Sequence, residues 1–467
     1  MKRLLLILAG SSALSACATV GPDYQDALPE VAASQSALHS AADPAFTPDT
    51  PPGEWWRLYN DPQLDGFVAQ ALEANTDLRV AAANLDQARA VLRESRTAGL
   101  PSTTVSASGS YGRQSGAAQG LNSRLPDGEM YDAGLDVGYQ IDLFGKVRRA
   151  VEASRADVDA VQAAYDLTRV TVVAETVRAY ADARNTACRI AVARRSVDVQ
   201  EQTFDLTRRL LEGGRVTAME TSQAGALLEQ TRAEIPSLEA LQQTALYRLA
   251  VMTGRPPADF PRDVASCAPL TLDRAIPVGD AAALLARRPD VRAAERHLAA
   301  ATARIGVATA DLYPSISIGG SAGSSATSLS DMTSGSAFRY SIGPLISWSF
   351  PNIAVARARI AQAEAGQQAA LAQFDGTWLT ALQETESALT TYARGLDRTA
   401  ALRRGTEQAR EAARIARLRY EAGRENFQIV LDAERQLATA EAALAQADAQ
   451  LSTDLIALFL SLGGGWE

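Results

Sequence analysis

Tyr131-Asp132-Ala133-Gly134-Leu135-Asp136-Val137-Gly138-Tyr139-Gln140-Ile141-Asp142-Leu143 decides how this chain folds. Every odd position is apolar and every even one is polar or glycine. In an extended backbone successive side chains point to opposite faces, so the segment has one greasy face and one small, polar face. The same alternation runs through Thr103 to Tyr111, Ser315 to Gly323 and Phe338 to Phe350. In the last of these Phe338, Tyr340, Ile342, Ile346, Trp348 and Phe350 share a face, while the opposite faces of the set hold Ser, Gly, Asp and Arg339. A strand of roughly ten residues with this division, and with aromatics near its ends, fits a transmembrane barrel with lipid outside and water inside. A soluble sandwich would turn the apolar face to a core, yet four strands are too few to enclose one. Open strand edges are not tolerated in lipid, so the four must close by pairing with further copies of themselves.

The flanking chain reads as helical, and it is written twice. Asn75-Thr76-Asp77-Leu78-Arg79, with Leu100-Pro101-Ser102 downstream, recurs as Arg288-Pro289-Asp290-Val291-Arg292 with Tyr313-Pro314-Ser315, at an offset of 213. Asp142-Leu143-Phe144-Gly145-Lys146 lines up with Trp348-Ser349-Phe350-Pro351-Asn352. Leu211-Glu212-Gly213-Gly214-Arg215 matches Tyr420-Glu421-Ala422-Gly423-Arg424, and Leu228, Leu249 and Gly254 match Leu437, Leu458 and Gly463, at an offset of 209. Each copy predicts a helix (61–98, then 280–311), two strands around a polar loop, and a long helical hairpin. Val151 to Leu211 contains neither Pro nor Gly, and Val158, Val161, Tyr165, Thr168, Val172 and Thr176 recur at helical spacing. Gly213-Gly214 supplies a stop, and a second helix starts near Thr217 with an expected kink at Pro236.

The opening residues carry a different signal. Lys2 and Arg3, an apolar run from Leu4 to Ala9, and Leu14-Ser15-Ala16-Cys17 form a secretory signal with a lipobox. Cleavage before Cys17 leaves that residue as a lipidated N-terminus, and Ala18 in place of an Asp points to outer-membrane delivery. The apolar run is too short to span a bilayer, which takes about 20 residues. The predicted divisions are a signal peptide over 1–16, a lipid-anchored linker over 17–60, a first repeat over 61–279 and a second over 280–467. Within them strands are expected at 102–112, 130–143, 315–324 and 337–350, helical hairpins at 147–253 and 353–462, and a linker at 254–279.

Composition narrows the function. Aromatics are 6% of the chain, Lys occurs only at Lys2 and Lys146, and Ala, Leu, Gln, Glu and Arg fill the long stretches, as in closely packed helices. The net charge of −9 becomes −11 once Lys2 and Arg3 are removed, and the charge is mixed along the helices, which leaves no nucleic-acid surface. His39 and His297 are the only histidines, so no His pair can bind metal or serve a triad. The run from Gly319 to Ser325 lacks the Lys of a phosphate loop. No enzyme and no cofactor is expected. Cys188 and Cys267 are either a disulfide or two free thiols, since two cysteines set no framework.

Several stretches carry a family resemblance: Val20-Gly21-Pro22-Asp23-Tyr24, Trp55-Trp56 with Leu64, Asn75-Thr76-Asp77-Leu78, Gly423 leading to Val430-Leu431-Asp432-Ala433-Glu434-Arg435-Gln436-Leu437, and Leu462-Gly463-Gly464-Gly465-Trp466. By these the chain resembles the TolC-like outer-membrane factor family, in its lipoprotein branch associated with resistance-nodulation-division efflux pumps. The resemblance implies an α+β membrane protein: a trimeric 12-stranded outer-membrane β-barrel, four strands per chain, continued by a long periplasmic α-helical barrel. It implies a homotrimer serving a periplasmic adaptor and an inner-membrane transporter as their passive exit duct. It further implies a pore constriction at Asp432, with Gln428 one turn nearer the tip where the branch usually has an apolar residue. A closing clasp falls on Glu220, Tyr420 and Arg424, and adaptor-contacting hairpin tips on Gly214, Arg215 and Gly423. The rival readings are a channel for type I protein secretion and a periplasmic coiled-coil scaffold lipoprotein.

Overall fold

The computed structural model describes residues 19–25, 38–115, 117, 120, 122–259, 264, 266–272, 274–279, 287–350 and 353–464. The expected signal peptide, Cys17, the start of the second repeat at 280 and the terminal Gly465-Trp466 lie outside them. In chain order the main elements are helices α1 (Pro62–Ala74) and α2 (Thr76–Thr97), strands β1 (Ser102–Gly112) and β2 (Gly128–Ile141), and helices α3 (Lys146–Glu212) and α4 (Ala218–Met252). The second copy repeats the order with α5 (Pro289–Ala310), β3 (Ser315–Ala326), β4 (Phe338–Ser347), α6 (Ile353–Glu421) and α7 (Phe427–Ser461). The chain divides into two compact units.

One unit holds the described residues of 84–162 and 293–374 together with 19–25. Its centre is a four-stranded antiparallel sheet in the order β1-β2-β3-β4. The strand ends differ from expectation for identifiable reasons. β2 closes at Ile141 instead of 143 because the Asp142 carboxylate turns to accept from the Val147 and Arg148 amides at 3.0 and 2.9 Å. That carboxylate caps α3, which therefore begins five residues before Val151. β4 ends at Ser347, not 350, because its partner β3 begins at Ser315, directly opposite, and beyond that pair the Trp348 indole donates to the Leu312 carbonyl at 3.2 Å. β3 runs on to Ala326, two residues past the expected end.

The other unit comprises 38–83, 163–292 and 375–464, as far as these are described. Its core gathers Trp55, Trp56, Leu64, Val68, Tyr180, Leu249, Leu389 and Phe459. Trp55 stacks on Phe459 with centroids 4.8 Å apart, an arrangement that adds about 1 kcal/mol to the burial itself. A single helix over 61–98 is not found: Asn75 takes an extended backbone and splits it. Its side chain accepts from the Asp77 and Leu78 amides and donates to the Met252 carbonyl at 3.2 Å, so it caps α2 and ties it to the end of α4. Phe46–Thr47 pairs in parallel with Ile276–Pro277 inside the expected linker.

α3 has 67 residues and α6 has 69, each about 100 Å of helix at 1.5 Å per residue. α4 and α7 have 35 each. Pro236 lies inside α4 without ending it. No helix among the described residues is long and apolar enough to cross a membrane. None of these observations bears on strands.

Candidate functional site

The register of the sheet puts its side chains in rows. Val105, Leu135, Ala322 and Tyr340 stand in one row, and Thr103, Val137, Gly320 and Ile342 in the next on the same face. Tyr139, Ile318 and Pro344, and then Ile141, Ile316 and Ile346, continue it. Rows of the other face are Ser106, Gly134, Gly323 and Arg339, and Thr104, Asp136, Ser321 and Ser341. Met130 and Leu345 also fall on this second face, so the polar side is less uniform than the alternation implied. The apolar face has no cover among the described residues: Ile342 is 81% exposed and Val105 80%. A bare greasy face of this breadth is unstable in water and at home in lipid.

Aromatic rings mark both ends of that face. Where the helices attach, Phe144 stacks on Tyr313 at 4.5 Å and Trp348 lies 5.0 Å from Phe350. Toward the strand loops, Phe338 lies 6.1 Å from Tyr340. Such belts are what membrane–water interfaces favour, and Tyr313, Trp348 and Tyr340 each add a polar handle to the apolar ring. β1 and β4 are the edges of the sheet, each paired on one side only among the described residues.

A clamp that the sequence did not reveal sits where α3 leaves the sheet. Arg149 is 3% exposed and donates to the Val20 and Gly21 carbonyls at 3.1 and 3.2 Å and to Asp23 at 2.6 Å. Tyr24 donates to Glu295 at 2.5 Å. Gly306 makes the fit possible, since a Cβ there would stand 2.8 Å from Arg149 Cγ and 2.9 Å from the Val20 oxygen. Gly306 falls within the helix predicted over 280–311, but nothing in one sequence says that a neighbouring chain segment passes over it.

At the hairpin tips the two copies make the same turn. The Arg215 amide donates to the Leu210 carbonyl and the Arg424 amide to the Arg419 carbonyl, both at 2.8 Å. Gly214 and Gly423 each take φ 67°, the left-handed conformation that closes such a motif. Glu220 is engaged locally, accepting from the Thr217 amide at 2.7 Å in a capping box. Tyr420 packs on Phe427 at 5.5 Å, and burial first, then the Glu220 carboxylate, hold its phenol above the usual range. Arg424 contributes its backbone to the turn, whereas Glu425 pairs with Arg419 at 3.2 Å. Asp432 is exposed, accepts from Gln428 at 3.2 Å and faces Arg435 at 3.6 Å. Cys188 and Cys267 come together as a disulfide with Cα atoms 4.4 Å apart.

Two residues beyond Asp432, Glu434 is buried. It accepts from Arg417 at 2.6 Å and Thr203 at 2.9 Å, joining α7 to α6 and α3. The family resemblance runs through Glu434, but its burial is not written in the sequence, where a Glu in a solvated helix and a buried one look alike.

With four two-faced strands and two long hairpins in place, comparison with known proteins is decisive. The outer membrane efflux protein family matches the chain twice, over residues 67–255 and 281–464. The chain belongs to that family. Outer membrane protein OprJ of Pseudomonas aeruginosa is 32% identical over 97% of this chain and 94% of its own length. The probable efflux pump outer membrane protein TtgC of Pseudomonas putida is 30% identical over 100% of this chain and 96% of its own. Among solved structures, the outer-membrane channel OprN superposes with a TM-score of 0.89 at 37% identity, covering 96% of this chain and 100% of that one. This efflux protein is therefore an outer-membrane channel component, with the expected α+β architecture and internal repeat. Its family is one of channels rather than enzymes, and no cluster able to hold a metal occurs among the described residues.

Proposed function

We propose that three copies close their sheets edge to edge, β4 of one chain against β1 of the next, into a single barrel of twelve strands. The polar face then lines a water-filled lumen and the hairpins continue it on the periplasmic side. The observation that carries this reading is the sheet itself: two open edges and one bare apolar face satisfy neither water nor lipid until both edges are paired. The barrel, its hairpins docked on a periplasmic adaptor and an inner-membrane transporter, conducts small molecules outward without catalysis or energy of its own. Cys17 carries the lipid anchor, and the segments fall into the linker and two repeats laid out above.

Near the tips, three Asp432 carboxylates around the axis form the constriction, with Gln428 bonded to each instead of an apolar ring. Concentrated negative charge there attracts cations and repels anions. Glu220, Tyr420 and Arg424 form the clasp region, and Gly214, Arg215 and Gly423 the adaptor-facing tips. The test is electrophoresis of unboiled protein together with planar-bilayer conductance. A heat-modifiable trimer that conducts is the expected result, and a monomeric, non-conducting chain would end the reading.

A further inference from the structure

Arg339 and Asp132 make a bidentate ion pair on the polar face of the sheet. Arg339 Nη2 lies 2.8 Å from Asp132 Oδ1 and 2.9 Å from Oδ2, with Nε 3.2 Å from Oδ2. The two residues belong to strands that are not neighbours, since β3 runs between β2 and β4. The guanidinium crosses β3 at Gly323, its direct register partner, and passes beside Gly134, where a Cβ would come 3.5 Å from Nη2. A side chain at Gly323 would itself meet Gly134 Cα at 2.7 Å. Two glycines thus clear a corridor for one long side chain.

The position of the pair is specific. Arg339 is the second residue of β4, and Asp132 is the fifth of β2, so both lie toward the strand loops and away from the helix-bearing end. Around them the face is neutral or acidic: Ser321 and Ser341 bond each other at 2.8 Å, and Asp136 stands two steps further along the same face of β2, past Gly134. Arg113 and Asp127 form a separate pair at 2.6 Å beyond the strand ends. Of the strand residues on the polar face Arg339 is the one cation.

We propose that the Arg339–Asp132 pair is a specificity-determining element of the outer mouth, one that cancels one of its two rings of carboxylates and limits the negative charge at the exit to the Asp136 ring. The proposal rests on the reading that the polar face lines the lumen. Three copies bring three such pairs to one level. Without Arg339 that level would carry three uncompensated Asp132 charges beside three Asp136, and the mouth would select for cations. Without Asp132 the three arginines would offset the three Asp136, and the mouth would shift toward anions by losing its cation preference.

The experiment is the reversal potential of the full-length channel in planar bilayers under a potassium chloride gradient, with Arg339→Gln, Asp132→Asn and the double variant each checked as heat-modifiable trimers. The proposal expects shifts of opposite sign for the single variants, toward cations for Arg339→Gln and toward anions for Asp132→Asn, and a return near the parent value in the double variant. Both shifts should fade with salt, as the screening length drops from about 30 Å at 0.01 M to about 3 Å at 1 M. A pair that merely staples β2 to β4 would lower stability in both single variants and leave the reversal potential still. If a single variant does not assemble, Arg339→Cys in the Asp132→Asn background, which is uncharged like the double variant, is modified after insertion with a cationic or an anionic thiol reagent; shifts toward anions and toward cations respectively support the proposal, and no shift with either overturns it. Conducting trimers whose reversal potential does not move in either direction overturn this inference alone. A wild-type trimer that does not conduct overturns it together with the lumen reading.

Discussion

The two helical hairpins share a backbone and differ in chemistry. α3 and α4 have 67 and 35 residues, α6 and α7 have 69 and 35, and both tips close on a glycine at φ 67°. The offset of 209 that aligns Gly214 with Gly423 also places Gly225 opposite Glu434. Around Gly225 the nearest atom to a would-be Cβ is a Phe204 ring carbon at 3.1 Å. Glu434 instead reaches Thr203, the preceding residue of the same helix, and Arg417. One short stretch of α3 therefore lays an aromatic ring on its own hairpin partner α4 and takes a charged latch from the other hairpin. The duplication fixed lengths and turns, and the residues free to diverge within that frame took on unequal work.

The largest expected asymmetry is at the latch. Arg417→Ala leaves a buried carboxylate uncompensated and should cost about 3 kcal/mol, seen as a lower melting temperature of the detergent-solubilised protein. The aligned change in the first hairpin, Arg208→Ala, removes only an exposed pair with Asp205 and should cost a few tenths of that, under about 1 kcal/mol. Equal effects would mean that the latch is not specific to the second hairpin. Gly225→Val comes next, because the Phe204 ring must give way, at about 2 kcal/mol in the same melt.

The tips should behave alike. Gly214→Ala and Gly423→Ala meet no neighbouring atom within 4 Å, so each pays only for the left-handed backbone, about 1 kcal/mol. A difference greater than their common value would show that one tip is held by contacts the other lacks. The smallest effect is expected from Glu220→Ala, which removes one half of the capping box of α4 and should lower stability by under about 1 kcal/mol. Asp432→Ala should leave stability unchanged and raise single-channel conductance or weaken divalent-cation block. No change in either would remove Asp432 from the constriction.

Much of this was legible in the residues. The alternation in 131–143 and 338–350 and the repeat offsets gave the strands, their faces and the paired hairpins, because periodicity is a backbone property written directly in side-chain order. Gly214 and Gly423 were readable because only glycine suits the turn. The break at Asn75 was missed, since an Asn within a helical pattern shows its capping role only when the Met252 carbonyl is there to receive it. Arg149, the Thr203–Glu434 contact and the Arg339–Asp132 pair were invisible for the same reason: each joins residues 126 to 231 positions apart in sequence. The pairing of Cys188 with Cys267 likewise needed the fold to bring the segment after α4 back beside α3.

The direct test of the barrel is a scan of single cysteines along β4 from Phe338 to Gly343, each carrying an environment-sensitive fluorophore, in vesicles whose acyl chains are brominated. Labels at Phe338, Tyr340 and Ile342 should be quenched by the lipid, and those at Arg339, Ser341 and Gly343 should stay bright and remain reachable by a water-soluble quencher. Uniform quenching at all six sites, or none at any, would contradict a sheet with lipid on one face and water on the other.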